Sequence, residues 1–153
     1  MRARIGATIG MAAAVMLTLA GCGFITPQAT TEDYEASDGT SARVGNIKVL
    51  NAIVLTQDGE DGNLIASVAN QSDERITVTL QFESGSSDVD KKVSVPGGEV
   101  KSLGSEEPFL LEGINTKPGE LLPVFVQYGD ETGKQMLVPV LDGSLSEYSD
   151  LLP

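Results

Sequence analysis

The sequence predicts an all-β domain: a small antiparallel β-sandwich, preceded by a signal peptide and a disordered tether. Three observations predict it. Ile76, Val78, Leu80 and Phe82 alternate with Thr77, Thr79 and Gln81, a period of two that buries one face and wets the other. Turn-forming clusters such as Asp58-Gly59-Glu60-Asp61-Gly62-Asn63, Asn70-Gln71-Ser72-Asp73 and Pro96-Gly97-Gly98 punctuate the chain at short intervals. Beyond the leader, no segment sustains helical spacing.

The leader comes first. Arg2 and Arg4 form a basic start, and Ile5 to Leu19 is apolar or small throughout, as in a secretory signal. That run is short for a membrane-spanning helix, which needs about 20 predominantly apolar residues. It ends in Leu19-Ala20-Gly21-Cys22, the lipobox pattern of bacterial lipoproteins. Chemistry explains the spacing: the thiol is alkylated by a diacylglyceryl donor, and the peptidase needs small residues before the new N-terminus. Residues 1–21 are therefore expected to be removed, with Cys22 as the lipid-attachment residue. Residues 22–42 are polar and turn-prone, too poor in apolar surface to fold alone, and are expected to form a flexible tether.

Residues 43–142 are expected to form the sandwich, with about eight strands. Val44 to Thr56 reads as one long strand or a strand with a bulge. Leu64–Val68, Ile76–Phe82, Val89–Val95, Val100–Leu103 and Phe109–Leu111 follow. Leu121–Tyr128 and Lys134–Leu141 close the domain as a hairpin around Gly129-Asp130-Glu131-Thr132-Gly133. Pro123 and Pro139 lack a backbone donor, so each is expected at an edge or a bulge. The pattern is Ig-like or cupredoxin-like, without the Cys…Trp…Cys spacing of antibody domains. Residues 143–153 read as a polar C-terminal tail whose Leu145, Tyr148, Leu151 and Leu152 are available for docking, on the domain or on another protein.

Composition excludes several classes. The chain has 10 basic and 22 acidic residues and a net charge of −12. Loss of the leader takes Arg2 and Arg4 with it, so Lys+Arg falls to 8 against 22 acids, a net charge of −14. Nucleic acid is excluded as a partner, because phosphate neutralisation needs clustered cations and Lys91-Lys92 is the sole adjacent basic pair. Polybasic attraction to anionic lipid is absent too, so the acyl chains on Cys22 must hold the protein to the membrane. With Cys22 acylated no thiol remains for a disulfide, and stability must come from packing.

Enzyme chemistry has little to work with. The chain has no histidine, which removes Ser-His-Asp and Cys-His arrangements. Lys92 and Ser94 share a strand face, but a lysine there reads as an exposed edge residue. Asp58 to Asn63 does not meet the EF-hand register, and turn chemistry accounts for each of its residues. No catalytic residue, metal ligand or cofactor site is expected.

The second half resembles the periplasmic copper chaperones of the PCuAC type, most of all the lipid-anchored relatives found in actinobacteria. The shared residues are Val95-Pro96-Gly97-Gly98, Phe109-Leu110-Leu111-Glu112-Gly113-Ile114, Lys117-Pro118-Gly119-Glu120, Leu121-Leu122-Pro123-Val124-Phe125 and Met136-Leu137-Val138-Pro139-Val140. The resemblance covers about Val44 to Leu141 and implies a β-sandwich that handles copper(I) with histidines and methionines. It also implies docking to a respiratory complex. Where the family carries His-Leu-Met-Leu-Met-Gly, this chain has Pro108-Phe109-Leu110-Leu111-Glu112-Gly113, so the ligand positions become Pro108, Leu110 and Glu112. Met136 alone cannot make a tight copper(I) site.

Two readings stand. The first is a non-enzymatic, membrane-anchored lipoprotein on the extracytoplasmic face of a Gram-positive-type cell. It would serve as a binding or accessory module for a respiratory or other envelope complex. The second is a metal handler of the PCuAC type.

Overall fold

A computed structural model of the protein describes residues 37–153. The leader, the lipobox with Cys22 and most of the expected tether lie outside the described residues. Nine strands form: β1 (Thr40–Val44), β2 (Ile47–Leu55), β3 (Gly62–Asn70), β4 (Ile76–Ser84), β5 (Ser87–Val95), β6 (Val100–Leu103), β7 (Leu110–Leu111), β8 (Leu121–Gln127) and β9 (Lys134–Leu141). One 3-10 turn, Ser149–Leu151, follows. Among the described residues no helix is long and apolar enough to cross a membrane.

The strands make one curled sheet in the order β5-β4-β8-β9-β2-β3-β6, with β1 on β2 and β7 on β3. It folds into two layers around a shared core. Val78, Leu80 and Phe82 of β4 share this core with Val124, Val126, Val138 and Val140 of the adjoining β8–β9 hairpin, with Val49, Ala52 and Val54 of β2, and with Leu64 and Val68 of β3. Each such side chain, fully buried, contributes about 1.5–3 kcal/mol, so the core holds without a disulfide. The all-β sandwich is as expected, except that one pair, β2·β9, is parallel.

Three local features differ from the sequence expectation. The strand expected over Val44–Thr56 is β2, Ile47–Leu55, but it starts later: Val44 ends a further strand, β1, that turns into β2 through Gly45-Asn46 with Gly45 at φ +49°. Gly-Asn between two strands is a two-residue turn pattern. Tyr128 seals it, its hydroxyl accepting the Asn46 N–H at 2.9 Å. β1 begins at Thr40, so residues 40–42, assigned to the tether, are sheet.

The expected bulge is in β2, where the register slips between Leu50 and Ile53. Asn51 sits there at φ +49° and its side chain accepts the Gly39 N–H at 2.9 Å.

Neither Pro123 nor Pro139 lies in an edge strand. The Val140 N–H bonds Glu120 O at 3.0 Å, which sets the alternation of the β8·β9 ladder. By that alternation the Pro123 nitrogen faces β4 and the Pro139 nitrogen faces β2. The β4·β8 ladder stops at Phe82↔Val124, next to Pro123. The β2·β9 ladder starts at Val54↔Val140, just past Pro139. A missing donor ends a ladder inside the sheet as effectively as an edge does.

Candidate functional site

The end of the sandwich that carries the aligned ligand positions is built by three connections. Thr56, fully buried, opens the β2–β3 loop; its hydroxyl donates to Asp61 O at 2.6 Å and accepts the Gly59 N–H at 2.9 Å. Asp58 Oδ1 accepts the Glu60 N–H at 2.9 Å, and Asp61 Oδ1 accepts the Gly113 N–H at 2.9 Å. The Ile114 N–H reaches Glu60 O at 2.8 Å and the Thr116 N–H reaches Gly59 O at 3.0 Å. The acidic loop is thereby zipped to residues 113–116. Asp58 and Asp61 serve backbone donors, which is turn chemistry and not a calcium cradle. The β4–β5 turn closes the same end, with the Gly85 N–H on Gly113 O at 3.2 Å.

Pro108 and Glu112 are exposed and Leu110 is half-buried in β7. Pro108 and Leu110 carry no side-chain donor atom, and Glu112 offers hard oxygens that suit copper(I) poorly. Met136 lies elsewhere, 4% exposed within the core on β9 and opposite Val124 of β8. It fills space between the layers. Among the described residues no group of three or more His, Cys, Asp or Glu side chains is placed to hold a metal ion. Lys92 and Ser94 do share the outward face of the edge strand β5, where no nucleophile–base pair is formed with a third group.

Two buried amides organise the molecule, and neither stood out in the sequence. Asn63, 1% exposed, donates from Nδ2 to Gly104 O at 2.9 Å and to Leu151 O at 2.8 Å, and its Oδ1 accepts the Phe109 N–H at 2.8 Å. Asn70, 2% exposed, donates to Glu74 O at 2.7 Å and, across the layers, to Val95 O at 3.0 Å. Its Oδ1 accepts the Ser72 N–H at 3.0 Å. Both read as turn residues because Asn is common in turns.

The tail docks on its own domain. Besides Leu151 O on Asn63, the Tyr148 hydroxyl donates to Asp38 Oδ2 at 2.8 Å. That hydrogen bond, with burial as a smaller cause, raises the Tyr148 pKa above the ordinary tyrosine value. Asp142 opens the tail; the Ser144 hydroxyl and N–H hold its carboxyl below the usual range.

A folded pKa raised in this way stabilises the tail fully below the ordinary tyrosine value of about 10. The contribution is lost as pH rises through the raised value, where phenolate faces carboxylate. Alkaline titration followed by phenolate absorbance and by protease sensitivity of the tail is expected to show release as Tyr148 ionises, above the ordinary tyrosine range. Tyr148→Phe is expected to make tail sensitivity independent of pH over that window; an unchanged profile would contradict the assignment.

The outward side of the last hairpin is the third feature. On β8 the inward residues are Leu122, Val124 and Val126, whereas Leu121, Pro123 and Phe125 point out. On β9 Leu137 points out and Pro139 is half-buried. Register sets Leu121 against Pro139 and Pro123 against Leu137. The continuous apolar run Leu121-Leu122-Pro123-Val124-Phe125 was the available signal, since a half-wet strand alternates.

No family model and no curated protein matches the chain. Among solved structures, the "apo PmoF2 PCuAC domain" superposes with a TM-score of 0.53 at 14% identity, over 69% of this chain and 98% of that one. This chain has a PCuAC-like fold. At that identity the likeness establishes the scaffold, as the sequence resemblance implied, and the chemistry of the loop end has to be read from the residues present.

Proposed function

We propose that this protein is a non-enzymatic binding or accessory module on a PCuAC-like scaffold, held by acylated Cys22 on the extracytoplasmic face of the cell membrane. Its place is with the actinobacterial lipid-anchored relatives of that family, and its partner is a respiratory or other envelope complex. One observation carries the reading. The scaffold is kept, while the aligned ligand positions are Pro108, Leu110 and Glu112 and the remaining soft donor, Met136, is packed inside the core. What a sandwich of this kind offers without a metal site is surface.

The second reading, a copper(I) handler, is favoured by the fold likeness alone. A titration of the purified protein with copper(I) against a chromogenic chelator separates the two. The expected result is that the chelator keeps the metal, and that Met136→Leu changes nothing. Withdrawal of copper(I) from the chelator at micromolar protein would restore the metal-handling reading and remove the proposed one.

A further inference from the structure

We propose that the outward face of the β8–β9 hairpin is a docking surface for a basic, apolar segment of a partner protein. The inference rests on the reading of the chain as a binding module and supplies the chemistry of its partner. The face breaks the alternation that β4 keeps beside it. Leu121 is 53% exposed and Leu137 51%, with Pro123 between them, so apolar side chains tile a continuous stripe over both strands. Phe125 ends the stripe. A Cβ on Gly133 would come within 2.4 Å of its ring, so the ring lies directly on that backbone and is held in place. An aromatic fixed in this way binds with little loss of side-chain freedom.

Charge on the same face selects the occupant. Beside Phe125 and Pro123 lies a shallow depression of about 390 Å³, also lined by Gln81, Glu83, Asp88 and Gln135. Glu83 and Asp88 stand directly opposite each other on β4 and β5, an arrangement of like charges that costs stability until a cation arrives. Asp90, on the same side, accepts from the Gln81 amide at 2.9 Å. The cations of this face lie further along: Lys92 on β5, opposite Thr79, and Arg75, whose guanidinium donates to the Ser94 hydroxyl at 3.5 Å. A lysine or arginine can lay its stem on Pro123 and Phe125 while its head meets the two carboxylates. An anionic bilayer would meet those carboxylates with repulsion. A second copy would bring the same carboxylates together, on chains that each carry a net charge of −14 once residues 1–21 are removed. A partner protein with Lys or Arg among apolar residues satisfies both parts of the face.

The test is photocrosslinking of the full, lipid-anchored chain in membranes of the cells that express it. A benzophenone side chain is placed at position 137, with a control at position 100, where Val100 is 62% exposed on β6. The expected result is a crosslink from position 137 to another protein, at a segment that mass spectrometry reads as apolar with Lys or Arg. Glu83→Gln with Asp88→Asn is expected to lower its yield roughly tenfold or more, as is Leu121→Ser at a probe on position 135. Capture of a second copy, of residues 23–36 of the chain itself, of lipid, or of an acidic segment overturns the proposal. Capture from position 100 alone overturns this face but keeps the binding-module reading. Capture from neither position overturns both.

Discussion

Asn63→Ala is expected to destabilise the protein by about 3–5 kcal/mol, because each buried group left without its partner costs about 1–3 kcal/mol. Alanine orphans two carbonyls, Gly104 O and Leu151 O, and one donor, the Phe109 N–H. These belong to three segments that nothing else ties together so directly: the turn after β6, the C-terminal tail and the strand that becomes β7. The loss is a large share of the roughly 5–15 kcal/mol that a domain of this kind has in total. Urea unfolding of the purified protein measures it.

Two further variants make the assignment specific. Of the three Asn63 bonds, removal of residues 143–153 takes away that to Leu151 alone; it also removes the exposed Tyr148–Asp38 bond, and is expected to cost less than Asn63→Ala. Asn63→Asp keeps the acceptor for Phe109 but sets a carboxylate against two carbonyl oxygens, and is expected to regain stability as pH falls and the acid becomes a donor. A loss below about 1 kcal/mol for Asn63→Ala would mean that water replaces the amide without penalty, against the burial seen here.

Cys22→Ser is expected to move the protein from the membrane fraction to the soluble fraction. On the proposed reading, acylation contributes about 0.8 kcal/mol per buried CH₂, so two or more acyl chains would account for essentially all of the membrane affinity. Nothing else in the mature chain replaces it, because 8 basic residues against 22 acidic ones repel an anionic surface. Fractionation and mass analysis of the N-terminal peptide provide the check. Retention of the serine variant in membranes, with its N-terminal peptide unmodified, would remove the anchor from the proposal. The experiment is independent of the docking face, since a soluble variant keeps Leu121, Phe125 and Leu137.

The strands that sequence described best are those with a strong local pattern and clear turn boundaries. β4, with its strict alternation, and β9, bounded by Gly133 and Asp142, matched their expected spans closely. β1 was missed because Thr40, Ser41 and Ala42 carry little apolar signal, and their strand state is imposed by pairing with β2. The prolines were misassigned for a related reason. A missing donor is visible in sequence, but which neighbour it faces depends on register.

The loop end shows the same division. Turn chemistry in Asp58 to Asn63 identified a connection, and the structure puts Asp58 and Asp61 on backbone donors. That Asp61 reaches Gly113 follows from the packing of two loops 52 residues apart. The apolar run of β8 was visible in the sequence as fold texture, and its consequence as a surface was not.

By itself the sequence determined the all-β class, most of the turn positions and the absence of soft donors at Pro108, Leu110 and Glu112. These depend on side-chain identity and on periodicity over a few residues, where local sterics and solvation decide the outcome. Tertiary structure alone decided that Asn63 clamps a tail 88 residues away, that Met136 is interior, and that Leu121, Phe125 and Leu137 share one open face. The physical reason is that burial and hydrogen-bond partnership are properties of a pair. The second member of each pair is brought close only when the sheet curls and closes its core.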